Sequence, residues 1–321
     1  MKTKKAHLIS SFIVLAIGIV FGGLFQKFYG FGFILEAFGI KYQAKPIPQV
    51  TQTINESNIL VEYQGKMQLF ILAGQSNMSG RGDVPQSQTI NSRIYVFGND
   101  YRWKLAIEPI DDPLNQVDEI SEDSPPGYSP VTSAGYSPAT SFASAVLERN
   151  PDMVIGLIPC AMGGTKIFEW KRSLSDSTLY GSCLKRAKAA SVMGNISGLL
   201  FFQGESDTVN TVEAEIPVVP NQWADDFIEF VGNWRIDLEL PELPVVFAQI
   251  GANINPDLYP NWAIIQEQQR SVQLPFCEMI ITDDLKINND RHFSTEGYQI
   301  IGKRFAEAYL KVKSDLGKSL E

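Results

Sequence analysis

Residues 69–80 read LFILAGQSNMSG, a run of five apolar residues that passes directly into a glycine and a short polar stretch. Because every position of the run is apolar, both of its faces must be buried, which is typical of a strand inside a parallel sheet. Similar short apolar runs follow at residues 94–97, 154–159, 198–202, 245–249 and 279–282. The stretch therefore predicts a buried strand that ends in a tight turn, and further strands of the same kind after it.

Segments with helical periodicity separate these runs. They cover residues 139–149, 174–190, 223–236, 262–272 and 295 to about 313. Strands that alternate with helices predict a mainly parallel sheet covered on both faces, which is a three-layer α/β/α sandwich. Residues 108–138 and 207–222 have neither period and are predicted to be surface loops. In such a sheet, ligands bind beyond the carboxyl ends of the strands.

The composition of the chain excludes some classes of function. The 321 residues carry 27 Lys and Arg against 36 Asp and Glu, a net charge of −9, which argues against a nucleic-acid partner. The three cysteines lack metal-binding spacing, and we predict neither a metal nor a cofactor. The acidic residues between Asp111 and Asp123 are interpreted as a solvated loop.

The N-terminal region has the properties of a membrane segment. Residues 8–25 carry no charge, and as a helix these 18 residues would span about 27 Å, close to the thickness of a bilayer core. Lys2, Lys4 and Lys5 precede the run, which keeps the N-terminus in the cytoplasm. We predict an anchor within residues 1–30, a spacer at 31–66 and a folded domain at 67–315 outside the cytoplasm. The alternative is a cleaved signal peptide and a secreted protein.

The cysteines leave one question of pairing open. Cys160, Cys183 and Cys277 allow at most one disulfide within the chain. An exported domain permits oxidation, so Cys160 with Cys183 is the pair to test. The alternative is that all three are buried thiols.

Two positions far apart in the chain supply groups for nucleophilic catalysis. Ser76 follows Gly74 at a predicted strand-to-helix turn, where a serine hydroxyl is exposed and can attack a substrate, although Ser76 could instead cap the helix. His292 is the only histidine outside the N-terminal region, and Asp290 precedes it by two residues. A serine nucleophile needs a base, and the base needs an acceptor that fixes its proton. Ser76, His292 and Asp290 supply these three roles.

Four blocks of sequence carry a resemblance to a known family. They are Gly74-Gln-Ser-Asn77, Gly163-Gly164, Gln203-Gly-Glu-Ser-Asp207 and Asp290-Arg-His292. In this order they resemble the SGNH/GDSL hydrolases, and more closely their sialate O-acetylesterase-like branch, carbohydrate esterase family 6. The resemblance implies a flavodoxin-like sandwich and removal of acetyl groups from sugar hydroxyls.

The same resemblance implies the roles of individual residues. The oxyanion hole would consist of the Ser76 N–H, an N–H of Gly163 or Gly164, and the Gln203 side chain. Among the other residues of these blocks, we predict that Gln75, Asn77 and Glu205 support the site. Many members of the superfamily place the acid three residues before the histidine, where this chain has Asn289.

These observations lead to one expected function and two alternatives. We expect a membrane-anchored serine esterase that hydrolyses acetyl esters of carbohydrates. A polysaccharide O-acetyltransferase would use the same three residues, and an inactive glycan-binding protein could share the fold. The sugar and the oligomeric state are left open.

Overall fold

The core of the protein is a seven-stranded sheet. The computed structural model describes residues 63–118, 134–209, 219–289 and 291–319. In these residues the sheet consists of β1 (Met67–Gly74), β2 (Ile94–Phe97), β3 (Trp103–Leu105), β4 (Ile155–Pro159), β5 (Gly194–Phe202), β6 (Val245–Ala248) and β7 (Cys277–Ile280). The strand order is β3-β2-β4-β1-β5-β6-β7, and only the edge strand β3 runs antiparallel to its neighbour. The expected parallel sheet is therefore confirmed.

Helices cover the sheet, and a small hairpin lies beside it. The helices are α1 (Ser76–Ser79), α2 (Ala139–Arg149), α3 (Leu179–Ala190), α4 (Trp223–Asp237), α5 (Trp262–Ser271) and α6 (Thr295–Ser319). The hairpin consists of β8 (Ile287–Asn289) and β9 (His292–Phe293).

Strand β1 shows why the sheet is covered on both faces. Alternate residues of a strand point to opposite faces. Leu69 and Ile71 belong to one buried cluster, which α3, α4 and α5 complete, whereas Phe70 and Leu72 belong to the other, which α2 and α6 complete. All four side chains are almost fully buried. The structure thus confirms the three-layer α/β/α sandwich.

The helix boundaries agree with the sequence to within one residue except at the start of α3 and at the end of α6, which continues to Ser319 and does not end near residue 313. Helix α2 covers the predicted residues 139–149, whereas α3 begins at Leu179 and not at 174. The hydroxyl of Thr178 accepts a hydrogen bond from the Gly181 N–H at 3.2 Å. This bond satisfies a backbone donor in the first turn, so the helix begins after Thr178.

Part of the acidic stretch is buried, which corrects the interpretation of it as a solvated loop. Asp111 is 2% exposed and accepts a hydrogen bond of 2.9 Å from the Asn99 side chain. The Asp118 carboxylate forms a 2.6 Å ion pair with Arg186, and both side chains are almost fully buried. These contacts attach the stretch to the edge of the sheet.

Glu108, which precedes this stretch, caps helix α2. Its carboxylate accepts hydrogen bonds from the backbone N–H and the hydroxyl of both Ser137 and Thr140. Burial raises the pKa of Glu108 to about 7, and the bonds from Thr140 and Ser137 oppose that shift. The carboxylate thus satisfies donors at the start of α2 that would otherwise be buried without partners.

The predictions for the N-terminal region fall on residues that the structure does not describe. The predicted anchor in residues 1–30, with the membrane segment 8–25, and nearly all of the spacer at 31–66 precede residue 63, where the description begins. Of the helices formed by the described residues, none is both long and apolar enough to cross a bilayer.

The structure settles the pairing of the cysteines. Cys160 and Cys183 are joined in a disulfide, with Cα atoms 5.4 Å apart, and Cys277 is a free thiol. Cys160 directly follows β4, and Cys183 lies on α3. The disulfide therefore attaches helix α3 to the carboxyl end of a central strand.

We predict that reduction of this disulfide destabilises the fold. Closing a loop with a sequence separation of 23 residues removes chain entropy from the unfolded state, which corresponds to about 3 kcal/mol of stability. Urea unfolding of the oxidised and the reduced protein measures the difference. Cys277→Ala is the matched control and should retain the full response to reductant. Titration of three free thiols in the denatured, unreduced protein would contradict the prediction.

Candidate active site

Three loops meet at one edge because β4, β1 and β5 are neighbours in the sheet. Leu72 of β1 pairs with Pro159 of β4, and Gly74 of β1 pairs with Phe202 of β5. The strands are parallel, so their carboxyl ends reach the same level. The loops that begin at Gln75, Cys160 and Gln203 leave from these three ends. These loops contain three of the four sequence blocks.

The turn after β1 depends on Gly74. Its φ angle is +133°, and a Cβ atom at this position would clash with the backbone of Phe202. The next residue, Gln75, donates its backbone N–H to the Phe202 carbonyl at 2.8 Å. Helix α1 then begins at Ser76, and Gln75 occupies the cap position. Ser76 is therefore not the helix cap, which removes that alternative for the serine.

Ser76 and His292 are in direct contact across the site. The Ser76 Oγ lies 2.9 Å from the His292 Nε2, although 216 residues separate them in the sequence. The other ring nitrogen of His292, Nδ1, lies 3.1 Å from the Asn289 Oδ1. Asp290 lies outside the described residues, so its predicted role as the acid remains a prediction.

Asn77 connects the serine turn to two other parts of the site. Its amide nitrogen donates to the Glu205 carboxylate and, at 3.1 Å, to the Arg291 carbonyl. Its amide oxygen accepts a hydrogen bond of 2.7 Å from the Tyr298 hydroxyl on α6. Because Arg291 directly precedes His292, Asn77 attaches the histidine hairpin to the serine turn.

Glu205 is fully buried beside this amide. Burial raises its pKa, and the hydrogen bond from Asn77 opposes that shift. The carboxylate holds the block that follows β5 against the residue after the serine. Glu205 therefore contacts the serine turn through the Asn77 amide.

The loop after β4 provides backbone donors. The Met162 N–H donates to the Gly74 carbonyl at 2.9 Å, which places this loop against the serine turn. Gly164 is exposed and has a φ of +78°. Among the hydrogen bonds of the described residues, no protein acceptor takes the backbone N–H of Ser76, Gly163 or Gly164. These are the donors that remain for a substrate oxygen.

Gln203 is fully buried, and its amide is bonded within the protein. Its Nε2 donates to the Thr165 carbonyl at 2.9 Å and to the Asp207 carboxylate. Its Oε1 accepts a hydrogen bond of 2.9 Å from the Trp223 indole. The predicted oxyanion role would require the nitrogen to release one of its acceptors. In this structure Gln203 instead connects the loops after β4 and β5.

Asp207 and Gln75 complete the contacts between these loops. Asp207 also accepts from the Ile167 N–H, and burial raises its pKa to about 7. The Gln75 Oε1 accepts hydrogen bonds of 3.3 Å from the backbone N–H groups of Gly204 and Ser206. The side chain next to the serine therefore orients the loop after β5.

Two residues of this site, Tyr298 and Thr165, were not predicted from the sequence, and neither was the contact of Asn289 with His292. Tyr298 and Thr165 reach the site through α6 and the loop after β4, and neither lies in a quoted block. Asn289 was noted only as a departure from the family pattern. The sequence does contain a signal for this contact, because a spacing of two residues between Asn289 and His292 is typical of a β-hairpin loop.

The described residues contain no group of three or more His, Cys, Asp or Glu side chains that could hold a metal.

Comparisons with known proteins agree with this geometry. A family model described as carbohydrate esterase, sialic acid-specific acetylesterase, matches residues 66–311. A probable carbohydrate esterase of Arabidopsis thaliana is 32% identical over 267 residues, which cover 76% of this chain and 90% of that protein.

Solved structures share the fold. The crystal structure of the Arabidopsis thaliana protein has a TM-score of 0.61 at 30% identity, covering 76% of this chain and 98% of its own. NanS has a TM-score of 0.56 at 17% identity and covers 78% of this chain and 99% of its own. A carbohydrate acetylesterase from Xanthomonas citri has a TM-score of 0.54 at 16% identity, over 76% of this chain and 56% of its own.

We predict that Tyr298→Phe weakens both the fold and the site. The change leaves the buried Asn77 amide oxygen without its 2.7 Å donor, which costs about 1–2 kcal/mol of stability. A looser Asn77 also releases the histidine hairpin, so kcat for an ester should fall several-fold. Urea unfolding and steady-state kinetics measure the two effects.

Tyr309→Phe is the matched control for this change. Tyr309 is a second buried tyrosine of α6, and its ring packs against Phe70 and Phe142 in the core. Its variant should retain kcat. Equal kinetics for the Tyr298 and Tyr309 variants would show that the hydroxyl of Tyr298 does not matter to the site.

Proposed function

The chain belongs to the carbohydrate esterase family of sialic acid-specific acetylesterases, and from this premise we propose that it removes acetyl groups from carbohydrate hydroxyls through an acyl-enzyme on Ser76. Membership in this family makes it a carboxylic ester hydrolase. The observation that carries the proposal is the 2.9 Å contact between the Ser76 Oγ and the His292 Nε2. This is hydrogen-bond distance for the transfer of a proton from a nucleophile to its base.

The first half of the proposed reaction forms the acetyl-enzyme. Ser76 Oγ attacks the ester carbonyl carbon while His292 Nε2 takes the hydroxyl proton. The carbonyl oxygen becomes an oxyanion, which the N–H groups of Ser76 and of Gly163 or Gly164 stabilise. When the intermediate collapses, the bond to the sugar oxygen breaks and His292 returns the proton to that oxygen. The sugar leaves with a free hydroxyl.

The second half repeats this chemistry with water. His292 takes a proton from the water molecule as it attacks the acetyl carbon, and the proton then returns to Ser76 Oγ when the acyl bond breaks. The products are acetate and the free enzyme. One donor of an oxyanion hole contributes about 2.7–4 kcal/mol to such a reaction, so the glycine loop matters as much as the base.

Two sequence-predicted residues keep their roles as proposals. Asp290 is proposed as the acid of the site. Gln203 is proposed as a further oxyanion donor only if its amide exchanges the Thr165 carbonyl or the Asp207 carboxylate for substrate. As placed, Gln203 supports the proposal indirectly because it holds the glycine loop through Thr165.

We also propose that the domain works outside the cytoplasm. The disulfide between Cys160 and Cys183 supports this proposal, since disulfides persist in oxidising compartments. The uncharged residues 8–25 would anchor the chain in the membrane or serve as a cleaved signal.

We predict that Ser76→Ala and His292→Ala each lower kcat for an aryl acetate by at least about 1,000-fold and leave the fold intact. The purified full-length chain in detergent is assayed for acetate release, with circular dichroism as the test of folding. Ser197→Ala is the matched control. Ser197 is a buried serine near the start of β5, whereas the candidate site lies beyond the carboxyl end of this strand.

Retention of activity in Ser76→Ala would refute the proposed mechanism. An acetyl group bound covalently at Ser76 after rapid quenching, located by peptide mass spectrometry, would support the acyl-enzyme. Acetyl transfer to an added glycan that exceeds acetate release would identify a transferase in place of a hydrolase.

A further inference from the structure

Asn289 and His292 form a cross-strand pair in the β8–β9 hairpin. The two strands are antiparallel, and the register pairs these two residues directly. Side chains of directly opposite residues lie on the same face, with Cβ atoms about 4.5–5.5 Å apart. The hairpin therefore places the residue three positions before the histidine beside the imidazole ring. The observed distance from Asn289 Oδ1 to His292 Nδ1 is 3.1 Å.

This contact bears on which ring nitrogen carries the proton. A neutral imidazole has one N–H group, and the amide oxygen of Asn289 can only accept a hydrogen bond. A hydrogen bond from the ring to this oxygen requires the proton on Nδ1, which leaves the lone pair of Nε2 facing the Ser76 hydroxyl at 2.9 Å. With the opposite tautomer, Nε2 would donate to the hydroxyl and could not take its proton.

We propose that Asn289 is the positioning residue of His292 and that a neutral amide performs this role in the chain. The proposal rests on the proposed function, because it concerns the base of the same reaction. It assigns the control of the tautomer to Asn289, whatever Asp290 contributes in addition. Asn289 acts through His292 and touches no reacting atom.

A neutral amide and a carboxylate differ in one measurable respect. Both orient the ring and hold the proton on Nδ1, but only a carboxylate adds a negative charge that favours the imidazolium. Among the described residues, charged groups near the ring include Glu205, which contacts Asn77, and Arg291, which precedes His292, and Asp290 lies between Asn289 and Arg291 in the sequence. These groups are the same in every variant of position 289, so a change in the pH profile reports on position 289 itself.

The first experiment measures the pH dependence of kcat/KM for an aryl acetate with the full-length chain. Asn289→Ala should lower kcat by at least tenfold with little change in KM, since the ring loses its orientation. Asn289→Asp should keep activity, and the acid limb of its profile should move upward by about one pH unit. Asn288→Ala is the matched control, because Asn288 is an exposed neighbour on the same strand.

The second experiment reads the tautomer without using activity. The chain contains two histidines, His7 and His292, so ¹⁵N-histidine labelling with a His7→Gln background leaves one imidazole in the NMR spectrum. The expected spectrum shows a proton on Nδ1 in the neutral form, and Asn289→Ala should lose this preference. Ser76→Ala should retain it, although that variant has no activity.

These outcomes separate the two proposals. An unchanged tautomer, kcat and pH profile in Asn289→Ala would overturn the role of Asn289, whereas the loss of activity in Ser76→Ala would still support the esterase. A neutral wild-type ring with its proton on Nε2 would overturn the role of Asn289 as well. A loss of the Nδ1 proton in Asn289→Ala together with the upward shift in Asn289→Asp supports it.

Discussion

Strand β1 lies between β4 and β5, and the parallel pairing of these three strands is the constraint on which the site depends. Because of this register, the carboxyl ends of the three strands lie at the same level. There the turn after β1 contacts the backbone of Phe202. Only a glycine fits at position 74, because any Cβ would clash with Phe202. The serine, the glycine loop and the block after β5 are thus brought together by the sheet before any of their side chains interact.

The polar side chains behind the serine show how buried groups hold these loops at fixed distances. Gln203, Glu205 and Asp207 are fully or almost fully buried, and a buried polar group without partners costs about 1–3 kcal/mol. Each of them makes a hydrogen bond that joins loops from different strands. Gln203, for example, follows β5 and donates to the Thr165 carbonyl in the loop after β4. A shift of one loop would leave several such groups unsatisfied at once. The network therefore resists small displacements of the glycine loop and of the hairpin that carries His292.

Most of the fold and the two residues Ser76 and His292 that meet in the candidate site could be predicted from the sequence, and the failures have physical causes. The central strands are long enough to appear as runs of apolar residues, and α2 is long enough to show the helical period, so both were predicted. The strands β3, β8 and β9 have three residues or fewer, too short to show one. Ser76 and His292 followed from their motifs and from the scarcity of histidine. The contact of Asn289 with His292 Nδ1 was not predicted, because the two-residue spacing permits a hairpin but does not by itself show that the two positions pair across one.

Helix α3 adds a constraint at the other side of the glycine loop. Cys183 binds Cys160 covalently, and Arg186, one turn further along the helix, donates to the carbonyl of Pro159. Both bonds fix the end of β4 a few residues before Gly163 and Gly164. The same Arg186 forms the buried ion pair with Asp118, and a buried cation without its partners is strongly destabilising. The acidic stretch, the helix and the strand end therefore stabilise one another, and the glycine loop is attached to a part of the fold that an oxidising environment strengthens.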